Sequence, residues 1–256
     1  MANQKNSNPP IIPANAPKPD EGMFVIVYGK GGIGKTTTTC MADRALLLDC
    51  TGGGRHQQID YWRIYSTDDL HAALEYLEKG GHGYSAVILD SVDNLYSRSL
   101  KPERDIRKSH KDAQGILKPM LVRFGSLPIH RILVLNEKVD QREDRVRDEE
   151  GQLVWKKFID IHLNLPPTLS QLVDDMCDVL IRAENPGRTD DDGNRTPTTI
   201  RVVRVAESQV NVQAKTRFDI VRNRMLLTQA LINLGIIRDT APATEAEQPA
   251  LIPAGK

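Results

Sequence analysis

Cysteine is scarce in this chain: Cys40, Cys50 and Cys177 are the only three among 256 residues, odd in number and far apart. That excludes a disulfide framework and a cysteine-built zinc site, and it suits a reducing compartment. Aromatic residues make up 5% against 39% hydrophobic overall, so the core has to be built mainly from aliphatic side chains. Net charge is also missing. The 34 basic and 34 acidic residues cancel, so there is no global attraction to nucleic acid or to an anionic membrane, and any such binding needs a local patch. No apolar run approaches the ~20 residues that cross a bilayer, and the opening MANQKNSNPPIIPANAPKPDEG has no apolar signal core. The expectation is a cytoplasmic protein without a membrane partner.

What is present centres on Phe24 to Thr39, FVIVYGKGGIGKTTTT. An apolar β-branched segment runs into a glycine-rich turn and then into residues that open a helix. Gly29, Gly34, Lys35 and Thr36 fit the phosphate-binding pattern G-x-x-x-x-G-K-[ST]. In such a loop the N–H groups of Gly29, Lys30, Gly31, Gly32, Ile33, Gly34, Lys35, Thr36 and Thr37 curl around a polyphosphate, because glycines remove side chains and permit positive φ. Lys35 reaches the β- and γ-phosphates of ATP, the Thr36 hydroxyl ligates Mg²⁺, and the helix start adds its positive end. A second stretch, Tyr84 to Asp90 (YSAVILD), ends an apolar strand in an acid suited to holding the same Mg²⁺.

Residues 1–21 and 239–256 are rich in proline and alanine and read as disordered tails around one domain, 22–238. Within it, strands are expected at Phe24–Tyr28, Ala45–Asp49, Tyr61–Tyr65, Tyr84–Asp90, Ile129–Leu135 and Cys177–Ile181. Short helices are expected at Thr37–Asp43 and Leu169–Asp175, with longer ones from Ser66 to Lys79, Ala113 to Phe124 and Arg224 to Leu234. Ser97–Asp112 reads as a mobile polar segment, and the charged stretch after Lys138 as a protruding hairpin turning at Glu150-Gly151. Further hairpin strands are expected at Thr199–Val205 and Val210–Ala214, and Arg188–Pro197 reads as a turn. The fold class is α/β: a P-loop NTPase with a largely parallel central sheet flanked by helices, followed by C-terminal β-hairpins.

The order of these elements, closing on AKTRFD (Ala214–Asp219), resembles the RecA-like ATP-binding proteins of bacteriophages, AAA-domain proteins associated with single-strand annealing and recombination. The resemblance spans about residues 23–222. It implies a RecA-like core in which Lys35 and Thr36 bind ATP and Mg²⁺, Asp90 is the Walker B acid and Asn136 occupies a sensor position. Lys215 and Arg217 resemble a Lys-x-Arg finger that reaches a neighbouring subunit's γ-phosphate, which implies a homo-oligomer whose hydrolysis depends on assembly. It also implies work on single-stranded DNA in the host cytoplasm, with a phage annealing or single-strand-binding protein as partner. Arg98, Lys101, Arg104, Arg107, Lys108 and Lys111 are the expected phosphate contacts.

One position departs from that pattern. Such enzymes place a catalytic Glu two residues after the acid ending the second strand, and here that residue is Thr51. Either Glu137 or Asp49 serves instead, or the chain is a nucleotide-binding module with little hydrolysis. The loop KGGIGKT is also similar to the deviant loop of ParA/MinD-like partition ATPases, in which the additional lysine, here Lys30, crosses a dimer. Against that alternative, LLLDCTGG lacks the Asp-x-Asp-Pro element of those proteins.

Overall fold

The computed structural model describes residues 22–102, 105–147, 150–185, 188–189, 195–196, 202–204, 211–212, 215–216 and 225–238. The two expected tails, Arg104, Arg217 and the turn at 190–194 lie outside the described residues. In chain order the elements are β1 (Phe24–Gly29), α1 (Lys35–Thr39), β2 (Ala45–Asp49), β3 (Asp60–Arg63), α2 (Thr67–Glu78), β4 (Ala86–Asp90), α3 (Val92–Ser99), α4 (Ile106–Gly125), β5 (His130–Arg147), β6 (Leu153–Leu163), α5 (Pro167–Met176), β7 (Val179–Glu184), β8 (Arg188–Thr189), β9 (Arg195–Thr196), β10 (Val202–Arg204), β11 (Asn211–Val212), β12 (Lys215–Thr216) and α6 (Leu227–Asn233).

The main sheet has the order β10-β7-β1-β5-β4-β2-β3. The six strands from β7 to β3 are parallel to one another, and β10 is antiparallel to β7. Every residue of β1, β2 and β4 is buried. That is why their sequences read as unbroken apolar runs instead of alternating, as expected of parallel strands covered on both faces. Residues such as Phe24, Ile26, Leu133 and Leu135 pack against α2, α3, α4 and α5. Their neighbours Val25, Val27, Ile132 and Val134 pack against α6 on the other face. Period-two alternation carries this to the strand ends. Asp49, Asp90 and Asn136 follow Leu47, Ile88 and Val134 onto the α6 face, whereas Glu137 follows Leu133 and Leu135 onto the opposite one.

The helices correct two expectations. Ser97–Asp112 is largely helical instead of a mobile segment: Ser97–Ser99 ends α3, and α4 opens at Ile106 behind Asp105, whose side chain accepts the N–H groups of Arg107 and Lys108. The buried stripe of α4 runs Ser109, Ala113, Leu117, Leu121 and Phe124. Its first member is a serine whose hydroxyl exchanges hydrogen bonds with the N–H and carbonyl of Lys101, so the polar half of the helix hides its periodicity. The second correction is α1, a five-residue helix over Lys35–Thr39 in place of Thr37–Asp43. Thr38 and Thr39 bend their hydroxyls back onto the carbonyls of Gly34, Lys35 and Thr36, a competition that weakens threonine-rich helices. By contrast, α2 starts where expected, with a capping box between Ser66 and Asp69.

Beyond Asn136, β5 leaves the sheet and, among the described residues, pairs only with β6, from Glu137 opposite Leu163 to Arg147 opposite Leu153. The expected hairpin is present and projects from the end of the sheet where the parallel strands finish. No helix among the described residues is long and apolar enough to cross a membrane.

Gly29 ends β1 against β7, where a Cβ would stand 2.3 Å from the Ala183 carbonyl oxygen. Gly29→Ala is therefore expected to destabilise the fold by roughly 2–3 kcal/mol, measured by denaturant unfolding. An unchanged midpoint would contradict this close approach.

Candidate nucleotide site

Three neighbouring strands, β1, β5 and β4, meet at one place: Gly29 and Asp90 end β1 and β4, and Asn136 is where β5 leaves the sheet. From β1 the chain turns through the glycine loop to Gly34, which caps α1 with φ of 86°, a left-handed conformation that favours glycine. Lys35 follows at once and is buried. Its Nζ donates to the carbonyls of Gly29 (2.8 Å) and Lys30 (2.7 Å) and approaches Asn136 Oδ1 at 3.4 Å. Burial pulls the Lys35 pKa down, opposed by the charges of Asp90, Asp93 and Glu137. Lys30, Gly31, Gly32 and Thr37 are exposed around it, while Ile33 is half-buried against the α6-side core.

The Thr36 hydroxyl donates to Asp90 Oδ2. Burial pushes the Asp90 carboxyl up to about 6. The Thr36 hydrogen bond and Lys35 oppose that shift, and Asp49 and Asp93 add to it. A crowded acid cluster around one lysine is short of positive charge, and the hydroxyl and carboxylate oxygens are hard donors suited to Mg²⁺. The residues fit the implied groups: Thr36 and Asp90 for the cation, Lys35 and the loop N–H groups for the phosphates.

The two acids expected to replace a catalytic glutamate are otherwise engaged. Asp49 accepts the N–H groups of Thr51, Gly52 and Gly54, the Thr51 hydroxyl, and Arg63 Nη1 at 2.9 Å. It anchors the loop that contains Thr51. Glu137 lies across the sheet in a buried ion pair with Arg182 Nε (2.8 Å), and Arg182 also pairs with Glu184. Glu137 Oε1 has no partner among the described residues.

One residue of the site escapes sequence reasoning. Asp93, in the first turn of α3, is 4% exposed. Its Oδ2 accepts the side-chain amides of Asn136 (2.8 Å) and Asn164 (3.3 Å). Asn136 thereby links Lys35 to Asp93, its oxygen towards the cation and its nitrogen towards the anion. The signal in the sequence is an acid three residues after Asp90, in LDSVD.

Of the expected phosphate contacts, Arg98 is exposed, but its guanidinium is engaged within the fold. Its Nη2 donates to the carbonyls of Cys50 (2.8 Å) and Ile64 (3.1 Å), which ties β2 to the end of β3. Lys101, Arg107, Lys108 and Lys111 are exposed, and a hollow of about 370 Å³ is lined by Arg107, His110, Lys111, Gln114 and Lys118. Lys215 lies in β12, opposite Leu180 of β7. The cysteines are buried, none in a disulfide, and burial pushes the Cys40 and Cys50 thiols up to about 12, which keeps both protonated and unreactive.

A family model described as an AAA domain matches residues 21–218. No curated protein matches the chain.

Proposed function

The chain belongs to the AAA domain family, which makes it an AAA-type P-loop ATPase, and we propose that it hydrolyses MgATP as an oligomer on single-stranded DNA in bacteriophage recombination, repair or replication. The observation that carries the ATPase part is the convergence of Lys35 and Thr36 at the start of α1 with Asp90 at the end of β4 and Asn136 where β5 leaves the sheet. ATP supplies the phosphoryl group and Mg²⁺ spreads its developing charge. The glycine loop leaves room for the phosphates, Lys35 exchanges loop carbonyls for phosphate oxygens, and Thr36 and Asp90 set the cation beside them. Lys215 and Arg217 complete the site of a neighbouring subunit in this reading, so turnover rises with assembly.

Two surfaces support the DNA part. α4 runs antiparallel to the strand that follows it, so its basic first half lies at the nucleotide end of the sheet. The β5–β6 hairpin projects from that same end. On it Trp155 is 63% exposed, with the Arg145 guanidinium 4.8 Å above its ring, a combination suited to stacking on bases beside a phosphate backbone. A phage annealing or single-strand-binding protein in the host cytoplasm is the partner this reading implies. The partition-type alternative lacks the Asp-x-Asp-Pro element after β2, and Lys30→Ala tests it separately by asking for loss of an ATP-dependent dimer on duplex DNA.

Phosphate release is expected to rise with single-stranded DNA at low salt, and DNA binding to weaken steeply as salt increases. Replacing Lys101, Arg107, Lys108 and Lys111 with Ala should flatten the log–log salt slope by ~0.7 for each phosphate left without a cation. Turnover indifferent to DNA together with no binding at low salt would contradict the DNA part.

A further inference from the structure

The ATPase reading requires a group that orients the attacking water, and Thr51, with its hydroxyl turned onto Asp49, does not supply one. We propose that Asp93 is the catalytic residue that holds this water, an inference that rests on the ATPase reading above.

Three acids stand near Lys35 and the metal-binding pair, and their surroundings separate them. Asp49 has both oxygens committed to the loop it anchors and to Arg63. Glu137 also has a buried oxygen without a partner among the described residues, but its charge is neutralised by Arg182. Asp93 differs from both. Among the described residues no arginine or lysine pairs with it, and its contacts are the two neutral amides of Asn136 and Asn164, both on Oδ2. Those amides come from the point where β5 leaves the main sheet and from the turn after β6, and together they fix the plane of the carboxylate.

The other oxygen, Oδ1, is buried and has no hydrogen-bond partner among the described residues. A buried carboxylate oxygen calls for a donor, and water is a donor of the right size. The position is also right. Asn136 spans from Asp93 to Lys35 Nζ, so Asp93 is separated by one side-chain amide from the lysine that holds the phosphates. In the reaction the water oxygen bonds to the γ-phosphorus as the bond from that phosphorus to the β,γ-bridging oxygen breaks, and the bond's electron pair leaves on ADP. One water proton passes to Asp93 Oδ1 and then to solvent, and the other stays on the phosphate. Asn136 is then a positioning residue, which sets Asp93 and Lys35 in register.

The test uses the full chain as wild type, Lys35→Ala, Asp93→Asn and Asp93→Glu. MgATP turnover is measured beside the affinity for a fluorescent ATP analogue and the rise in melting temperature given by MgATP. Asp93→Asn is expected to bind the analogue within about threefold of wild type and to keep the thermal shift, with turnover lowered ~10²–10³-fold. Asp93→Glu should recover at least part of that loss. If Asp93→Asn melts early, Asp93→Gln against Asp93→Glu makes the same comparison at matched size, with Glu active and Gln inactive. Turnover of Asp93→Asn equal to wild type overturns the assignment, as does loss of analogue binding and thermal shift together, which would make Asp93 a metal-holding or structural group. A wild type no faster than Lys35→Ala contradicts the ATPase reading and Asp93 with it. A wild type faster than Lys35→Ala but matched by Asp93→Asn contradicts Asp93 alone.

Discussion

Lys35→Ala is expected to lower MgATP turnover about 10³-fold while leaving the chain folded, the loss associated with removing a preorganised charge from a reacting phosphoryl group. The reason lies in how Lys35 is held. Its Nζ is withdrawn from water and donates to two loop carbonyls, and burial already weakens its hold on a proton. Part of the desolvation cost is therefore met in the fold itself, and the ammonium is placed before nucleotide arrives. Alanine removes the positive charge that offsets Asp90 and Asp93. The carboxyl of Asp90 should then rise above its present value of about 6, and Mg²⁺ binding should weaken along with phosphate binding. Phosphate release and analogue titration in parallel separate the two effects. Turnover by Lys35→Ala equal to wild type would place hydrolysis elsewhere.

Asp90→Asn is expected to act in opposite directions on stability and on activity. A carboxyl pushed from 3.8 to about 6 is ionised at neutral pH against the preference of the folded state, a cost of roughly 3 kcal/mol at 1.36 kcal/mol per pKa unit. Below about pH 4 the group is protonated in folded and unfolded chains alike and the cost vanishes. Between about 4 and 6 it grows, and above about 6 it is complete. Asparagine removes that cost and keeps an oxygen for the Thr36 hydroxyl. At pH 7.5 without nucleotide the variant should melt several degrees above wild type, and the difference should close as the pH falls towards 4. Its Mg²⁺-dependent nucleotide binding should be lost, and turnover should fall about 10³-fold. A variant melting below wild type at pH 7.5 would show that Asp90 stabilises the fold as an anion. In wild type, protons should compete with Mg²⁺ below about pH 6.

Much of this is legible in the sequence wherever burial on both faces leaves a simple imprint. Ala45–Asp49 coincides with β2 to the residue, because a short run apolar on both sides has few other uses in a chain this polar. The P-loop, the strand ending in Asp90 and the hairpin after Asn136 are legible for related reasons. α3 and the first half of α4 are not, because Ser109 opens the buried stripe and the rest of that half faces water. Glu137 is readable in principle: it follows Asn136, and adjacent residues of a strand face opposite ways. Asp93 is hidden for another reason. An acid in the first turn of a helix reads as a complement to the helix dipole. Only tertiary contacts with Asn136 and Asn164, distant in the chain, turn it towards Lys35.

The most direct measurement is an equilibrium titration of the wild-type chain with a fluorescent ATP analogue, with and without Mg²⁺, repeated with Asp90→Asn. The expected result is one saturable site per chain, tightened by Mg²⁺ in wild type and indifferent to Mg²⁺ in the variant. No saturable binding, or binding that Mg²⁺ tightens equally in both proteins, would contradict a nucleotide site built from Lys35, Thr36 and Asp90.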